Sequence, residues 1–435
     1  MTTINRRTLL GLAAAAGVAA TTGCTGVGGG TGGGAGAGGT SIRFAWWGNN
    51  VRQKNYMKAL EQFGSDHPDI TVETEFADYD PYQERMTTQM AARNVPDVFW
   101  VPSPNVMTYY SSGLYHEIQD LEGLDLSDYP QADLKSFELD GKLNTMPFAM
   151  TTPVARFNAT FAEEDGVELP AEDASWTWDE MREFAIDYAK ENGNERKAFG
   201  YTPEHDLTFE YWLRQHDEDL WTADGGIGFR TETLTEWLDW WEKLRKAGAT
   251  TSLSEQDGVS PDWGLVGDKV LITYGSSNHL IDDAAMYPDY TFTLRRTPTT
   301  PDASADSALL YTPRMAVYQE IDEQKLPSAG ALLNYCTNNV EMIKTVGLTM
   351  GVPVNPRVAE EMVEFADPDE QECLRMVGVV REDERRPRYE APAGSSTWRT
   401  IMQREAERVA LDGVATKKAA ETIVSEIKAG LDRAS

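Results

Sequence analysis

Residues 41–50 read SIRFAWWGNN. The first seven places are mostly apolar or aromatic, the composition of a buried strand. The strand stops at Gly48, and two amides, Asn49 and Asn50, follow. Successive strand residues face opposite sides, so Trp46 and Trp47 do not share one environment. One of them belongs in a core. Trp47, nearer the loop, is the candidate ligand surface.

The residues downstream set the topology. In RQKNYMKALEQFGS, 52–65, Tyr56, Leu60 and Phe63 fall on one helical face. ITVETEF alternates as a strand, YQERMTTQMAARN reads as a helix, and DVFWV, 97–101, as another buried strand. Strand–helix–strand–helix–strand implies a parallel sheet with covering helices. A second series follows TMPFAMTTP. TWDEMREFAIDYAK opens with Thr177 and Glu180 at capping-box spacing and reads as a helix. KAFGYTP is a short strand, TLTEWLDWWEKLRKAG a helix, and KVLITYGSSN a strand running into a polar turn. MAVYQE reads as a strand and SAGALLNYCTNNVEMIKTV as one or two helices. The last helix aligns Ala420, Ile423, Ile427 and Leu431. Two α/β units in series predict two lobes with a cleft. Ligands of open α/β sheets bind beyond the carboxyl ends of strands, and residues 46–50 lie at such an end.

Upstream, Arg6-Arg7 precedes an apolar stretch from Leu9 to Ala20 and small residues up to Cys24. That stretch is too short to span a bilayer core of about 30 Å. Charged start, short apolar core and small residues describe an export signal over 1–23. The paired arginines favour the twin-arginine route. Cys24 follows Thr22-Gly23 as in a lipoprotein cleavage box, although Thr21 stands where leucine is usual. Two acyl chains there would anchor the chain stably. The Gly-rich run up to residue 40 is a tether reaching roughly 20–24 Å. The folded part is thus expected just outside a membrane it does not cross.

Net charge is −31, from 39 basic and 70 acidic residues, which argues against nucleic acid as a partner. With Cys24 lipidated, Cys336 and Cys373 remain, either paired or as buried thiols. No Walker A pattern, HExxH or GxSxG occurs. No cofactor or metal is expected. An exported glycoside hydrolase acting on oligosaccharides is the alternative function; it needs two carboxylates about 5–10 Å apart, which counting acids does not test. A tethered adhesion protein is a third reading.

Taken in order, RFAWWGNNVR, FGSDHPDITVETEF, NVPDVFWV, SSGLYHEIQDL, the crossing from DGKLNTMPFAM through VARFNATFAEEDGVELP to TWDEM, then GSSNHLID, GVPVNPRV, APAGSSTW and VALDGVATKKAAETIVSEI resemble the extracellular solute-binding proteins of sugar importers, the group that includes maltose-binding protein. The resemblance covers nearly the whole chain after the tether. It implies an α/β, two-lobed, periplasmic-binding-protein-like fold of type II. Each lobe would be a mostly parallel sheet flanked by helices, joined by hinge strands. Lobe one is expected at 41–150 and 292–338, lobe two at 151–291 and 339–435. The resemblance also implies capture of a sugar or oligosaccharide and delivery to an ABC permease and its ATPase subunits.

Sugars present apolar C–H faces and hydroxyl edges, so their sites combine aromatic plates with a few orienting polar groups. The candidates are Trp47, Asn49, Asn50 and Arg52 in the first loop, and Trp100 ending the third strand. Tyr79, with Tyr82, is placed at the cleft rim, or as a staple for the next helix. Glu210 and Trp212 come from LTFEYWLRQ, where helix packing is the stronger role for Trp212. GSSNHL offers Ser276, Ser277 and Asn278, which equally suit a helix cap. GSSTWRT offers Ser396 and Trp398, the latter matching an aromatic that stacks on sugar in the family. Asn158, in a glycosylation sequon, reads as structural. The acidic net charge favours a neutral oligosaccharide; Arg52 keeps a uronate ligand open. An arginine so placed more commonly starts a helix and points to solvent.

Overall fold

The computed structural model describes residues 39–172, 176–192, 196–256 and 269–434. The signal, Cys24 and all but the end of the tether lie outside these residues.

The opening strand, β1 (Thr40–Trp47), pairs in parallel with β2 (Ile70–Ala77) and β3 (Val98–Val101). Helices Asn50–Asp66 and Tyr79–Ala91 make the crossovers, as the period of Tyr56, Leu60 and Phe63 predicts. The sheet continues through β4 (Met146–Pro147) and a returning strand, in the order β2-β1-β3-β10-β4, with β10 being Arg314–Val317. β10 runs antiparallel to β3 and to β4. Beyond β5 (Ala149–Met150), β6 (Pro153–Asn158) begins the second sheet. That sheet also contains β7 (Lys197–Phe199), β8 (Val270–Ser276) and β9 (Phe292–Arg296), in the order β7-β8-β6-β9. Only β7 and β8 are parallel there. The parallel pairing expected from strand–helix alternation therefore holds within each α/β series. In each sheet one described strand that enters from the other lobe, β10 or β6, runs antiparallel to both of its neighbours.

Each sheet supports its own core. The first gathers Phe44, Trp46, Phe99, Trp100 and Leu333; the second gathers Phe157, Trp178, Trp237, Trp241 and Ile423. Two expected boundaries shift. Residues 292–296, expected in lobe one, pair with β6 in the second sheet. Helix Val340–Val346, expected in lobe two, contributes Met342 and Val346 to the first core. In both cases the apolar side chains go where a sheet face lacks cover, and local pattern does not reveal which sheet that is.

The chain passes between lobes near residues 148–153, 307–314 and 347–368. β5 pairs with β11 (Val352–Pro353), and Thr151 bridges to Tyr311. Gly351, at φ 119°, lies against this ribbon; a Cβ there would come within 2.4 Å of the Met150 carbonyl oxygen. Asn158 is fully buried, and its Oδ1 accepts from the Phe161 N–H at the start of helix Ala159–Glu164, the structural role expected. Cys336 and Cys373 are both buried free thiols. Among the described residues no helix is long and apolar enough to cross a membrane.

Candidate functional site

A cluster of polar and aromatic side chains gathers around Arg388: Tyr79, Asp206, Tyr311, Glu390 and Arg399 are partly exposed, and Glu210 is buried. Tyr79 stands at the start of helix Tyr79–Ala91, edge-on to Trp47 with ring centroids 5.5 Å apart. Its phenol is pushed well up by burial, with Tyr311 and Asp206 acting the same way and Arg399 opposing. One tyrosine from lobe one thus lies beside a crossing residue and two residues of lobe two. Asp206 opens helix Asp206–Gln215, and Glu210 follows one turn later on the same face. Burial disfavours the Asp206 charge, but Arg399, His205, the Leu207 N–H and Arg388 together hold its carboxyl below the usual range. Arg399 lies 4.0 Å from Asp206.

Arg388 is the centre of the set. Its Nε and Nη2 donate to the two Glu210 oxygens at 2.7 and 2.9 Å, a bidentate fork. Glu390 is 3.8 Å away on the other side, and itself pairs with Arg314 of β10. The Arg388 guanidinium stands 5.5 Å from the Tyr311 ring centroid. An acid–base chain Arg314–Glu390–Arg388–Glu210 therefore runs from the first sheet to the helix of the second lobe. Tyr311, pushed up to about 12 by burial, forms its aromatic floor.

The other expected ligand residues divide by environment. Trp47 is 8 % exposed and packs T-shaped on Trp100 at 4.9 Å; Trp100 is fully buried. Trp212 sits in the second core, its Nε1 donating to the Thr233 carbonyl. Trp398 is 3 % exposed, between Phe209 and Trp221. These four tryptophans are placed as core residues and present no open plate, because each is met by other rings on its flat faces or edges. Tyr82 is buried too, donating to the Trp100 carbonyl at 2.6 Å. Asn50 and Ser396 face solvent. Ser276 ends β8, buried opposite Pro153.

Asn49, Arg52, Ser277 and Asn278 instead tie the lobes to the crossings. Asn49 caps helix Asn50–Asp66, its Oδ1 accepting from the Arg52 N–H. Its Nδ2 donates to Asp282 Oδ1 at 2.9 Å. Arg52 is buried, neither free for a ligand nor pointing to solvent. It donates to the Thr349 carbonyl at 3.0 Å and the Thr349 hydroxyl at 3.3 Å. Gly48, at φ 150°, leaves room for it: a Cβ there would fall 2.5 Å from Arg52 Nη1. Asn278 donates to the same Thr349 carbonyl at 2.7 Å, and Ser277 exchanges backbone and hydroxyl bonds with Thr152.

Of the sequence candidates, Tyr79 and Glu210 belong to this cluster; Asp206, Tyr311, Arg388, Glu390 and Arg399 join it without having been candidates. The signals were the four-residue spacing of Asp206 and Glu210, and the dense charge of RRPRYE between two helices.

Two α/β lobes joined by three crossings thus carry a cluster of tyrosines, carboxylates and guanidiniums between them. The sequence model of the family described as bacterial extracellular solute-binding protein matches residues 58–370, and the chain belongs to that family. A Brucella abortus protein described as a binding protein is 22% identical over 213 residues, 46% of this chain and 50% of the relative. The chain thus spans about half the length of the curated relatives it first matches. Among solved structures, a periplasmic solute-binding protein from Pectobacterium atrosepticum superposes with TM-score 0.77 at 20% identity, covering 91% of this chain and 99% of its own. A periplasmic oligogalacturonide-binding protein from Yersinia enterocolitica, solved with saturated digalacturonic acid, superposes with TM-score 0.76 at 19% identity, over 91% and 99%. These likenesses establish the fold.

Proposed function

We propose that this protein captures a carbohydrate between its lobes and delivers it to an ABC permease driven by ATPase subunits. It acts as a binder and not as an enzyme. Export by the twin-arginine route and lipid on Cys24 would hold it at the outer face of the cytoplasmic membrane. The observation that carries the reading is the cleft set itself. Tyr79 and Tyr311 offer ring surface to C–H faces, Asp206 offers an acceptor, and Arg388, oriented by Glu210, offers donors to hydroxyls. Three carboxylates (Asp206, Glu210, Glu390) offset three guanidiniums (Arg314, Arg388, Arg399). That balance favours a neutral oligosaccharide. A uronate ligand draws support from the Yersinia likeness.

A thermal-shift screen against neutral and uronate mono- and oligosaccharides tests this. A ligand at 100 times its Kd adds about 2.7 kcal/mol. The expected result is stabilisation by at least one sugar with no new reducing ends. No shift with any sugar would overturn the reading, and release of reducing ends would replace it with hydrolysis. Mass spectrometry of membrane-extracted protein, seeking two or three acyl chains on Cys24, tests the anchor.

A further inference from the structure

Asp282, on helix His279–Met286 of lobe two, takes bonds from lobe one. Its Oδ1 accepts from Asn49 Nδ2 at 2.9 Å, and its Oδ2 lies 3.8 Å from Arg52 Nη2. Asn49 and Asp282 are 233 residues apart. The Asp282 side chain is 9 % exposed and that of Arg52 8 %. A buried charge of this kind is tolerable only when paired and hydrogen-bonded.

We propose that Asp282 is a positioning residue: it latches lobe two to Asn49 and Arg52, and so fixes both the aim of the Asn49 amide and the angle between the lobes. Three features support this. Asn49 is held at both ends, since its Oδ1 already caps the helix through the Arg52 N–H. Rotating its amide therefore costs a cap as well as the bond to Asp282. Arg52 is anchored independently of Asp282, on the Thr349 carbonyl that also receives Asn278. Thr349 belongs to the last crossing, so lobe one, lobe two and a hinge segment meet at one carbonyl oxygen. A change in lobe angle turns about this point and is resisted by the two contacts at Asp282. The latch is separate from the Glu210–Arg388 set and does not depend on what the cleft binds.

Exchanging the partners isolates the contact. In Asn49→Asp, two carboxylates face each other, while Asp still caps the helix as Asn does. In Asp282→Asn, the ion pair with Arg52 is lost. In the double variant, the amide and carboxylate have traded places and the hydrogen bond re-forms. Small-angle scattering on the full chain without sugar reads the lobe angle, and circular dichroism confirms folding. The radius of gyration should rise in Asn49→Asp, rise less in Asp282→Asn, and return towards wild type in the double variant. If either single change unfolds the chain, regained folding in the double variant supports the latch and a double variant that stays unfolded overturns it. Single variants with unchanged radii, or a double variant whose expansion equals the sum of the two, would also overturn it. Because no ligand enters the measurement, the outcome is independent of the sugar reading.

Discussion

Glu210 and Arg388 meet through two parallel hydrogen bonds, although 178 residues separate them. The pair is asymmetric in burial, with the Glu210 side chain 4 % exposed and Arg388 21 %. The carboxylate is therefore the deeper partner, and the guanidinium is the group that reaches the cleft. Arg388 stays charged because Glu210 and Glu390 outweigh the cost of burying it.

Changing Arg388 to Ala strands a buried carboxylate. Uncompensated buried charges cost about 3–5 kcal/mol. Glu210→Gln keeps the shape and removes the charge, so it should fold better than Arg388→Ala. Its effect should appear in binding, about tenfold or more if a sugar hydroxyl uses this pair. Calorimetric titration of both variants with the best sugar from the screen checks this. Equal affinity in Glu210→Gln and wild type would remove Glu210 from the site.

Aromatic substitutions should separate core from cleft. Trp398→Ala empties a buried site beside Phe209 and Trp221 and should cost about 3–5 kcal/mol. Tyr79→Ala removes a half-exposed ring, should cost less stability, and should weaken sugar binding. Urea unfolding paired with titration checks both. A stable Trp398→Ala with lost affinity would reverse the assignment and make it a ligand plate.

Acid should favour this fold at one site. Burial pushes the Asp283 carboxyl up to about 7, against the pull of Arg156, whose Nε donates to it at 2.6 Å. The folded-state value exceeds the unfolded one, so the folded chain binds the proton more tightly. The stabilising term is complete below about pH 4, the unfolded value, and is lost as pH rises through 7. Asp283→Asn lacks the term and also leaves Arg156 without its carboxylate. The melting temperature of wild type minus that of Asp283→Asn should therefore be larger at pH 5 than at pH 8. A difference independent of pH would show that Asp283 titrates normally.

Thiol chemistry should report unfolding. Burial raises the Cys336 thiol to about 12 and holds Cys373 well above its ordinary value. Both should resist alkylation at pH 8 in native protein and react at once in denaturant, because the thiolate is the reactive form. Rapid modification of either in the native state would place it at an accessible surface.

Much of the architecture is carried by short-range pattern. The burial of Phe44 and Trp46, the helix face of Tyr56, Leu60 and Phe63, and the cap at Thr177 are all legible because each depends on neighbours within a turn or two of chain. Two α/β series in order predict two lobes, and the ordered resemblance along the chain agrees. What it did not carry was the use of individual polar and aromatic side chains. Asn49, Ser277 and Asn278 look like ligand donors, and folding binds them to Asp282, Thr152 and Thr349 instead. Trp398 has the local pattern of a stacking plate and is enclosed by Phe209 of helix Asp206–Gln215 and by Trp221. Arg388 gains its place only when a loop near the chain's end closes on Glu210. Hydrophobic periodicity is local and survives in one dimension. The partner of a buried charge is chosen by three-dimensional proximity, and a desolvated group bonds to whatever the fold brings within about 3 Å.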